Sequence, residues 1–298
     1  MRRAALLAVF GVLFAAAEPL NAESVTRRDL SGVRRWAAFY GHILSRKAWD
    51  SLDLAVVDPD GFVVPKSSGS ASDLNSIRRI SAAYVSVGEA DDRRPFWGDI
   101  QDEKYIIEPN PDWPSAHRVD IRDLKWRKLI VDKVVSNALA QGYDGVMLDT
   151  IDTAQYFESS APARFAGSMA AAVSLVKELR TRYPSMVLLV NNGLPLLDEI
   201  GEAIDGVMVE DLYTFCLPQS AECVKTKKQI MREKEEVLLA FKEKTKKPVF
   251  VFIYIELLKR DGRLARWAVK RARKLGFVPY LSGASLELLG DVDPHRKK

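Results

Sequence analysis

Histidine and cysteine are scarce in this sequence, and the motifs that depend on them are missing. The 298 residues include three histidines (His42, His117 and His295) and two cysteines (Cys216 and Cys223). There is no His-Glu-x-x-His segment and no paired Cys-x-x-Cys, so the sequence does not indicate a zinc-dependent mechanism. The Gly-x-Ser-x-Gly turn of serine hydrolases is also absent, and three histidines give little scope for a Ser-His-Asp triad.

The phosphate-binding glycine motifs are missing as well. Neither the P-loop nor a Gly-x-Gly-x-x-Gly loop follows any apolar segment. The 44 basic and 40 acidic residues leave a formal charge of +4, and the basic residues are spread along the chain. Nucleic-acid binding proteins concentrate basic residues in a patch or a reading motif, so we expect no nucleic acid as a partner.

Long apolar runs are missing too, and the one near the amino terminus is too short to cross a membrane. Arg2 and Arg3 precede an apolar segment from Ala4 to Ala17, whereas a membrane-spanning helix needs about 20 residues. This pattern is typical of a secretion signal peptide, which we expect at 1–22. Residues 23–298 would then form the mature domain in the periplasm or as a secreted protein, without stable membrane insertion.

Export to an oxidising compartment would allow the two cysteines to form a disulfide. Cys216 and Cys223 are the only cysteines of the chain, and a disulfide between them would close a short loop. We therefore predict a disulfide between them, with two free thiols as the alternative.

Short apolar segments alternate with amphipathic segments along the rest of the chain. Unbroken apolar runs are typical of parallel strands covered by helices on both faces. Eight strands are predicted, at Trp36–Tyr40, Asp53–Val57, Ala82–Val87, Gly145–Asp149, Met186–Asn191, Gly206–Glu210, Val249–Tyr254 and Phe277–Leu281. Helices are predicted at Trp126–Gln141, Phe165–Arg182, Val224–Lys244 and Leu264–Leu275, with Gly142 and Gly276 as carboxyl-terminal caps. The pattern predicts a single α/β domain, a (β/α)8 TIM barrel, with a doubly wound open sheet as the alternative.

One strand sequence occurs twice. Asp144-Gly-Val-Met-Leu-Asp149 recurs as Asp205-Gly-Val-Met-Val-Glu210. In each copy a buried strand ends in a carboxylate, at the barrel edge where catalytic residues lie in this fold. Alternatively, these acids merely cap the helices that follow. Two such carboxylates on facing strands are the usual minimum for glycoside hydrolysis, so Asp149 and Glu210 are the candidate catalytic residues.

Further acidic and aromatic side chains are predicted at the same edge. Carboxylates beside aromatic faces suit a sugar ring, although such acids can also be helix caps or solvated charges. The candidate substrate-binding residues are Tyr40, Asp58, Tyr84, Glu89, Trp97, Asp152, Asn191, Tyr213 and Tyr254. Asp149, Asp152, Glu210 and Asp211 are also hard oxygen ligands, so a magnesium or calcium site is an alternative use of these carboxylates.

Four sequence segments together resemble a known family. Tyr84-Val-Ser-Val-Gly-Glu-Ala90 is followed by Gly142-Tyr-Asp-Gly-Val-Met-Leu-Asp149, and then by Asn191-Asn-Gly193 and Asp205-Gly-Val-Met-Val-Glu210. This order resembles the TIM-barrel glycoside hydrolase family 114, the endo-α-1,4-polygalactosaminidase-like proteins. The likeness extends from about Trp36 to Ser282.

The resemblance implies hydrolysis of α-1,4-linked galactosamine in a secreted exopolysaccharide, without a metal or other cofactor. By analogy Asp149 is the nucleophile and Glu210 the acid/base of a retaining mechanism, although the two roles could be exchanged. Asp58, Tyr84, Glu89 and Asn191 match positions of the family that look like substrate-binding positions.

An acidic, aromatic cleft complements a cationic amino-sugar polysaccharide. Two other functions remain open from the sequence: a non-catalytic glycan-binding barrel, and a metal-dependent hydrolase of another polymer. The sequence leaves the oligomeric state open.

Overall fold

The computed structural model describes residues 27–41, 50–61, 79–216, 222–256 and 262–287. The predicted signal peptide lies outside these residues, as do two of the three histidines. No helix in the described part of the chain is long and apolar enough to cross a membrane.

The described residues contain thirteen strands, eight of which form one parallel sheet. The strands are β1 (Trp36–Phe39), β2 (Leu54–Val57), β3 (Ile80–Ser86), β4 (Glu89–Asp91), β5 (Ile106–Pro109), β6 (Ala116–Val119), β7 (Gly145–Asp149), β8 (Val187–Asn191), β9 (Gly206–Val209), β10 (Thr214–Cys216), β11 (Cys223–Lys225), β12 (Val249–Tyr254) and β13 (Val278–Ser282). The large sheet has the order β1-β2-β3-β7-β8-β9-β12-β13. Every pair of neighbours in it is parallel.

Side chains connect the first and last strands of this sheet. The Trp36 indole donates to the Val278 carbonyl at 2.9 Å, and the Tyr280 hydroxyl donates to the Ala38 carbonyl at 3.3 Å. The sheet therefore curves into a nearly closed barrel, which confirms the predicted TIM-barrel fold. All eight predicted strands are present, with ends that differ by two residues at most.

Aromatic rings fill the barrel interior. Trp36 packs edge-on against Phe252 with ring centroids 4.8 Å apart, and it also contacts Phe250 and Tyr280. All four rings are fully buried. Burial of a large side chain of this kind stabilises the fold by about 1.5–3 kcal/mol, so this cluster is a major part of the core.

Helices connect the barrel strands. They are Trp97–Ile100, Leu124–Leu129, Ser136–Ala140, Thr153–Ser160, Pro162–Phe165, Ser168–Arg182, Leu197–Ile200, Lys228–Thr245 and Arg263–Lys274, with a π-helical stretch at Ile130–Val135 and a 3-10 turn at Leu194–Leu196. Gly142 and Gly276 have φ angles of 95° and 69°, a left-handed conformation that glycine adopts without strain, as predicted for helix caps.

The structure corrects two predictions outside the barrel sheet. The predicted helix Val224–Lys244 begins only at Lys228, because β11 pairs with β10 as an antiparallel hairpin. Cys216 and Cys223 face each other in this hairpin and form the predicted disulfide. The region after β3, where no strand is predicted, forms a three-stranded antiparallel sheet in the order β4-β6-β5.

Candidate active site

Three neighbouring barrel strands bring Asp149, Asn191 and Glu210 together. Asp149 ends β7 and Asn191 ends β8, while Glu210 directly follows β9. The Asn191 side-chain nitrogen donates to Asp149 Oδ1 at 2.8 Å and to Glu210 Oε1 at 2.6 Å. Because both bonds share one nitrogen, these two oxygens are no further apart than the sum of the distances, about 5.4 Å. The sequence-predicted carboxylate pair therefore meets at the carboxyl end of the barrel.

The residue after each of these three side chains has a left-handed backbone. Thr150, Asn192 and Asp211 have φ angles of 58°, 56° and 54°. Such angles are uncommon outside glycine and strained for a β-branched residue, and strain of this kind costs about 1–3 kcal/mol. The surrounding residues compensate at Thr150, whose hydroxyl accepts from the Gly88 amide at 2.9 Å and contacts the Ser86 hydroxyl at 2.8 Å. The sharp turn leaves each preceding side chain at the barrel edge.

Glu210 is held at its side chain and at both of its backbone polar groups. Besides the bond from Asn191, its backbone amide donates to Asn192 Oδ1 at 3.1 Å. Its carbonyl accepts from Lys234 Nζ at 3.0 Å, a contact that reaches across from helix Lys228–Thr245. This arrangement fixes the position of the carboxylate before any substrate arrives.

The surroundings of Glu210 favour its protonated form. Burial is the largest cause and the nearby charge of Asp149 is the second, and together they raise the pKa of Glu210 to about 8. The hydrogen bond from Asn191 opposes this shift without reversing it. At neutral pH Glu210 can therefore donate a proton, as a general acid must.

Two more carboxylates extend the acidic character of the cleft. Burial by the cleft walls and then the charge of Asp149 raise the pKa of Asp152 to about 6, although its side chain reaches solvent. Burial likewise raises the pKa of Asp211, and burial lowers the pKa of Lys234 beside it. Lys234 thus faces Glu210, Asp211 and Asp152, so negative charge predominates around it.

Tyrosine rings line the cleft. Tyr40 packs edge-on against Tyr84 at 4.9 Å, and the Tyr84 hydroxyl forms a hydrogen bond with Asp149. Burial and then the negative charges of the site hold the pKa of Tyr40, Tyr84 and Tyr254 well above the usual range for tyrosine. These hydroxyls remain protonated and available as hydrogen-bond donors.

Two further predicted residues, Asp58 and Glu89, are partnered at the edge of the cleft. Asp58 accepts from Arg94 at 2.6 Å, and the Arg94 guanidinium lies 5.5 Å from the Tyr84 ring centroid. Glu89 is buried and accepts two bonds from Asn110 Nδ2, at 2.9 and 3.1 Å. Burial raises the pKa of Glu89, and the charge of Asp149 contributes in the same direction.

Two predicted residues lie elsewhere. Tyr213 is fully buried and its ring packs against Trp267 at 5.9 Å, so it belongs to the core and cannot contact a polysaccharide. Trp97 lies in the short helix after β4, where its ring stacks on His117 at 4.6 Å. Trp97 therefore packs on the three-stranded insertion, and its role in substrate binding stays a prediction.

Sequence reasoning assigned no role to Thr150, Asn192 or Lys234. Thr150 and Asn192 each follow a predicted site residue; asparagine adopts a left-handed backbone more readily than most residues, whereas threonine gives no such signal. Lys234 lies in a charged helix whose composition is typical of a solvated helix on the outside of the barrel. No group of three ligating side chains in the described residues is arranged to hold a metal ion.

The fold and the site define a TIM-barrel glycoside hydrolase, because an acid and a second carboxylate face each other at the carboxyl edge of the barrel. The sequence profile of glycoside-hydrolase family GH114 matches residues 21–297. The chain therefore belongs to glycoside-hydrolase family GH114, as the sequence resemblance predicted.

One relative is similar in sequence, and two solved structures are similar in fold. An uncharacterized protein of Deinococcus radiodurans is 27% identical in an alignment 274 residues long that covers 87% of this chain and 83% of that protein. The glycoside hydrolase domain of PelA from Pseudomonas aeruginosa superposes with a TM-score of 0.75 at 23% identity, covering 88% of this chain and 99% of that domain. Ega3 of Aspergillus fumigatus, solved in complex with galactosamine, gives 0.67 at 16% identity and covers 89% and 98%.

Proposed function

We propose that this glycoside hydrolase cleaves an α-1,4-linked galactosamine polysaccharide outside the cytoplasm, with retention of configuration. The observation that carries the proposal is the single Asn191 amide nitrogen shared by Asp149 and Glu210. Retaining glycosidases have carboxyl groups about 5–5.5 Å apart, whereas inverting enzymes need about 6.5–9.5 Å to admit a water molecule. The upper limit of about 5.4 Å set by the two hydrogen bonds supports retention.

The two carboxylates have different roles in this mechanism. Glu210 donates its proton to the glycosidic oxygen while Asp149 attacks the anomeric carbon. The carbon–oxygen bond to the leaving sugar breaks and an ester to Asp149 forms. Glu210, now ionised, then removes a proton from water, and the resulting attack on the anomeric carbon releases Asp149. The raised pKa of Glu210 supports its role as acid, and the bonds from Asn191 and Tyr84 hold Asp149 in place for attack.

The charge of the cleft supports an amino sugar as substrate. Asp149, Asp152, Glu210 and Asp211 lie together, with Lys234 beside them. Arg94 is paired with Asp58 and Asp60 at 2.6 and 2.8 Å, so its charge is compensated. A sugar ammonium is attracted by such a cleft, whereas an anionic glycan is repelled. The similarity to Ega3 in its galactosamine complex points to the same sugar.

Two features support action outside the cytoplasm. The sequence at 1–22 has the charged and apolar regions of a signal peptide. The disulfide between Cys216 and Cys223 is of a kind that persists in oxidising compartments.

Mass spectrometry of α-1,4-galactosamine oligomers incubated with the mature protein tests the proposal. We expect shortened oligomers from the wild type, unchanged by a chelator, and intact oligomers from Glu210→Gln. Proton NMR of the first product should show the α-anomer. Intact oligomers that nevertheless bind would indicate a glycan-binding barrel, and loss of cleavage with the chelator would indicate a metal-dependent hydrolase. A first product in the β configuration would exclude retention.

A further inference from the structure

An exposed tyrosine lies one helical turn from the cleft. Helix Thr153–Ser160 begins beside Asp152, and the Tyr156 amide donates to the Asp152 carbonyl at 3.0 Å. Residues four positions apart lie on the same side of a helix, about 6 Å apart along its axis. Tyr156 is 43% exposed. Tyr156 therefore lies one helical turn beyond Asp152, which belongs to the acidic cleft.

The Tyr156 ring is held from one side by the three-stranded insertion. The Arg118 guanidinium lies over the ring, 4.1 Å from its centroid, and Arg118 pairs with Glu108 at 2.9 Å. The Tyr156 hydroxyl is also 3.3 Å from Glu108 Oε1. Arg118 thus contacts one face of the ring, the Phe157 ring lies 5.5 Å away, and 43% of Tyr156 remains exposed to solvent.

The same arginine connects this ring to the cleft. Arg118 Nε lies 3.8 Å from Glu89 Oε1, and the charge of Glu89 contributes to the raised pKa of Asp152. Glu89 and Arg118 are also direct neighbours across the β4–β6 pair. Tyr156 is consequently fixed to the cleft by its own helix and by the insertion. Isolated surface aromatics are common. Tyr156 differs from them because its ring is oriented by Arg118, which also contacts Glu89 at the edge of the cleft.

We propose that the solvent-facing side of Tyr156 is a remote subsite that stacks one amino-sugar unit of the bound polysaccharide. The inference rests on the proposed function, since it assigns a further contact to the same substrate. A tyrosine ring attracts a cation over its face and offers a flat surface to C–H groups. The ring is also pre-oriented by Arg118, so little side-chain freedom is lost on binding. Long chains would reach this subsite and the shortest cleaved oligomers would not.

Steady-state kinetics with oligomers of two lengths tests the subsite. For Tyr156→Ala we expect a KM about two- to fivefold higher with long oligomers, the effect of one exposed cation–π contact, at unchanged kcat. With the shortest oligomer that is cleaved, KM should equal that of the wild type. Tyr156→Phe keeps the ring and should behave as the wild type at both lengths. Leu239→Ala removes a similarly exposed apolar side chain from the outer helix and should change neither constant.

Three results would overturn the inference. A wild-type KM of Tyr156→Ala for long oligomers would exclude the subsite and leave the proposed function intact. A lower kcat at every length, or a lower melting temperature shared with Tyr156→Phe, would show that the residue supports the fold of the site. Failure of the wild type to cleave any oligomer would reject the proposed function and the subsite together.

Discussion

Strands β7 and β9 have nearly the same sequence and the same anchor at their amino ends. Asp144 accepts from the Ser81 amide of β3 at 2.8 Å, and Asp205 accepts from the Leu188 amide of β8 at 2.8 Å. In both strands the first acid fixes the neighbouring strand, and the buried apolar residues then extend to the carboxyl edge. Each copy of the repeated sequence therefore positions one carboxylate at the cleft.

The delivered side chains differ because their surroundings differ. Asp149 accepts hydrogen bonds from Asn191 and Tyr84. Glu210 receives only the Asn191 bond at its carboxylate among the described contacts, and burial raises its pKa to about 8. The strand determines where each carboxylate lies, whereas the neighbours on other strands raise the pKa of Glu210 and hold Asp149 in place. Two similar carboxylates thereby acquire the separate roles that glycoside hydrolysis requires.

Replacement of the two carboxylates should have the largest effect. Asp149→Asn and Glu210→Gln should each lower kcat on galactosamine oligomers by at least about a thousandfold, since each removes a group that acts on the reacting atoms. They should differ on an aryl glycoside with a good leaving group. That substrate needs no acid for the first step, so Glu210→Gln should still release one burst of phenol, whereas Asp149→Asn should release none.

Asp144→Asn is the matched control for this experiment. It changes an acid of the same strand at the opposite end of the barrel and should keep a wild-type kcat. A burst from Asp149→Asn and none from Glu210→Gln would assign the two roles the other way round.

Asn191 connects the two carboxylates, and its loss should have the next largest effect. Asn191→Ala should lower kcat by about a hundredfold, the scale observed for one oriented donor in an active site. The pH profile should also move. General-acid activity is present below the pKa of Glu210 and lost as the pH rises through about 8. Because the Asn191 bond lowers this pKa in the enzyme without substrate, its removal should shift the alkaline limb of kcat/KM to higher pH.

The control here is Asn192→Gly, which removes the acceptor for the Glu210 amide and keeps a residue that tolerates the left-handed angle. Its alkaline limb should stay where the wild type has it. An unshifted limb in Asn191→Ala would mean that another group limits the reaction at high pH.

Much of the barrel could be predicted from the sequence, because its strands are unbroken apolar runs. Asp149 and Glu210 could be found since each ends such a run. The pairing of β10 with β11 could not, because Val224 and its neighbours continue the apolar spacing of the helix that follows. The three-stranded insertion has strands of three or four residues, too short for a clear alternation.

The misplaced and missed site residues have physical explanations. Tyr213 follows Glu210 closely, and the left-handed turn at Asp211 comes between the two. Its ring lies in the core against Trp267, and sequence alone does not reveal that change of direction. Lys234 is one of many lysines in its helix, and only the packing of that helix shows that its amine reaches Glu210. Contacts between elements that are distant in the sequence therefore could not be predicted from the sequence.

Substitutions of the acids at the amino ends of β7 and β9 should have the smallest effect on activity. They should nevertheless differ measurably in their effect on the free energy of unfolding. Asp205 pairs with Arg180 at 2.7 Å, and both side chains are more than nine-tenths buried. Asp144 pairs with Arg28 at 2.8 Å, where the arginine side chain is 43% exposed. Removal of one partner from a buried pair leaves an uncompensated charge and costs about 3–5 kcal/mol, whereas an exposed pair contributes about 0–1 kcal/mol.

We therefore expect Asp205→Asn to lower the free energy of unfolding by about 3 kcal/mol and Asp144→Asn by about 1 kcal/mol, measured by urea denaturation. Asparagine keeps an oxygen that can accept from the Leu188 or Ser81 amide, so the comparison isolates the loss of charge. Equal losses in the two variants would mean that the backbone anchor, and not the burial of Arg180, dominates. The two strands would then be equivalent at their amino ends, and their differences would be confined to the carboxyl edge where the chemistry lies.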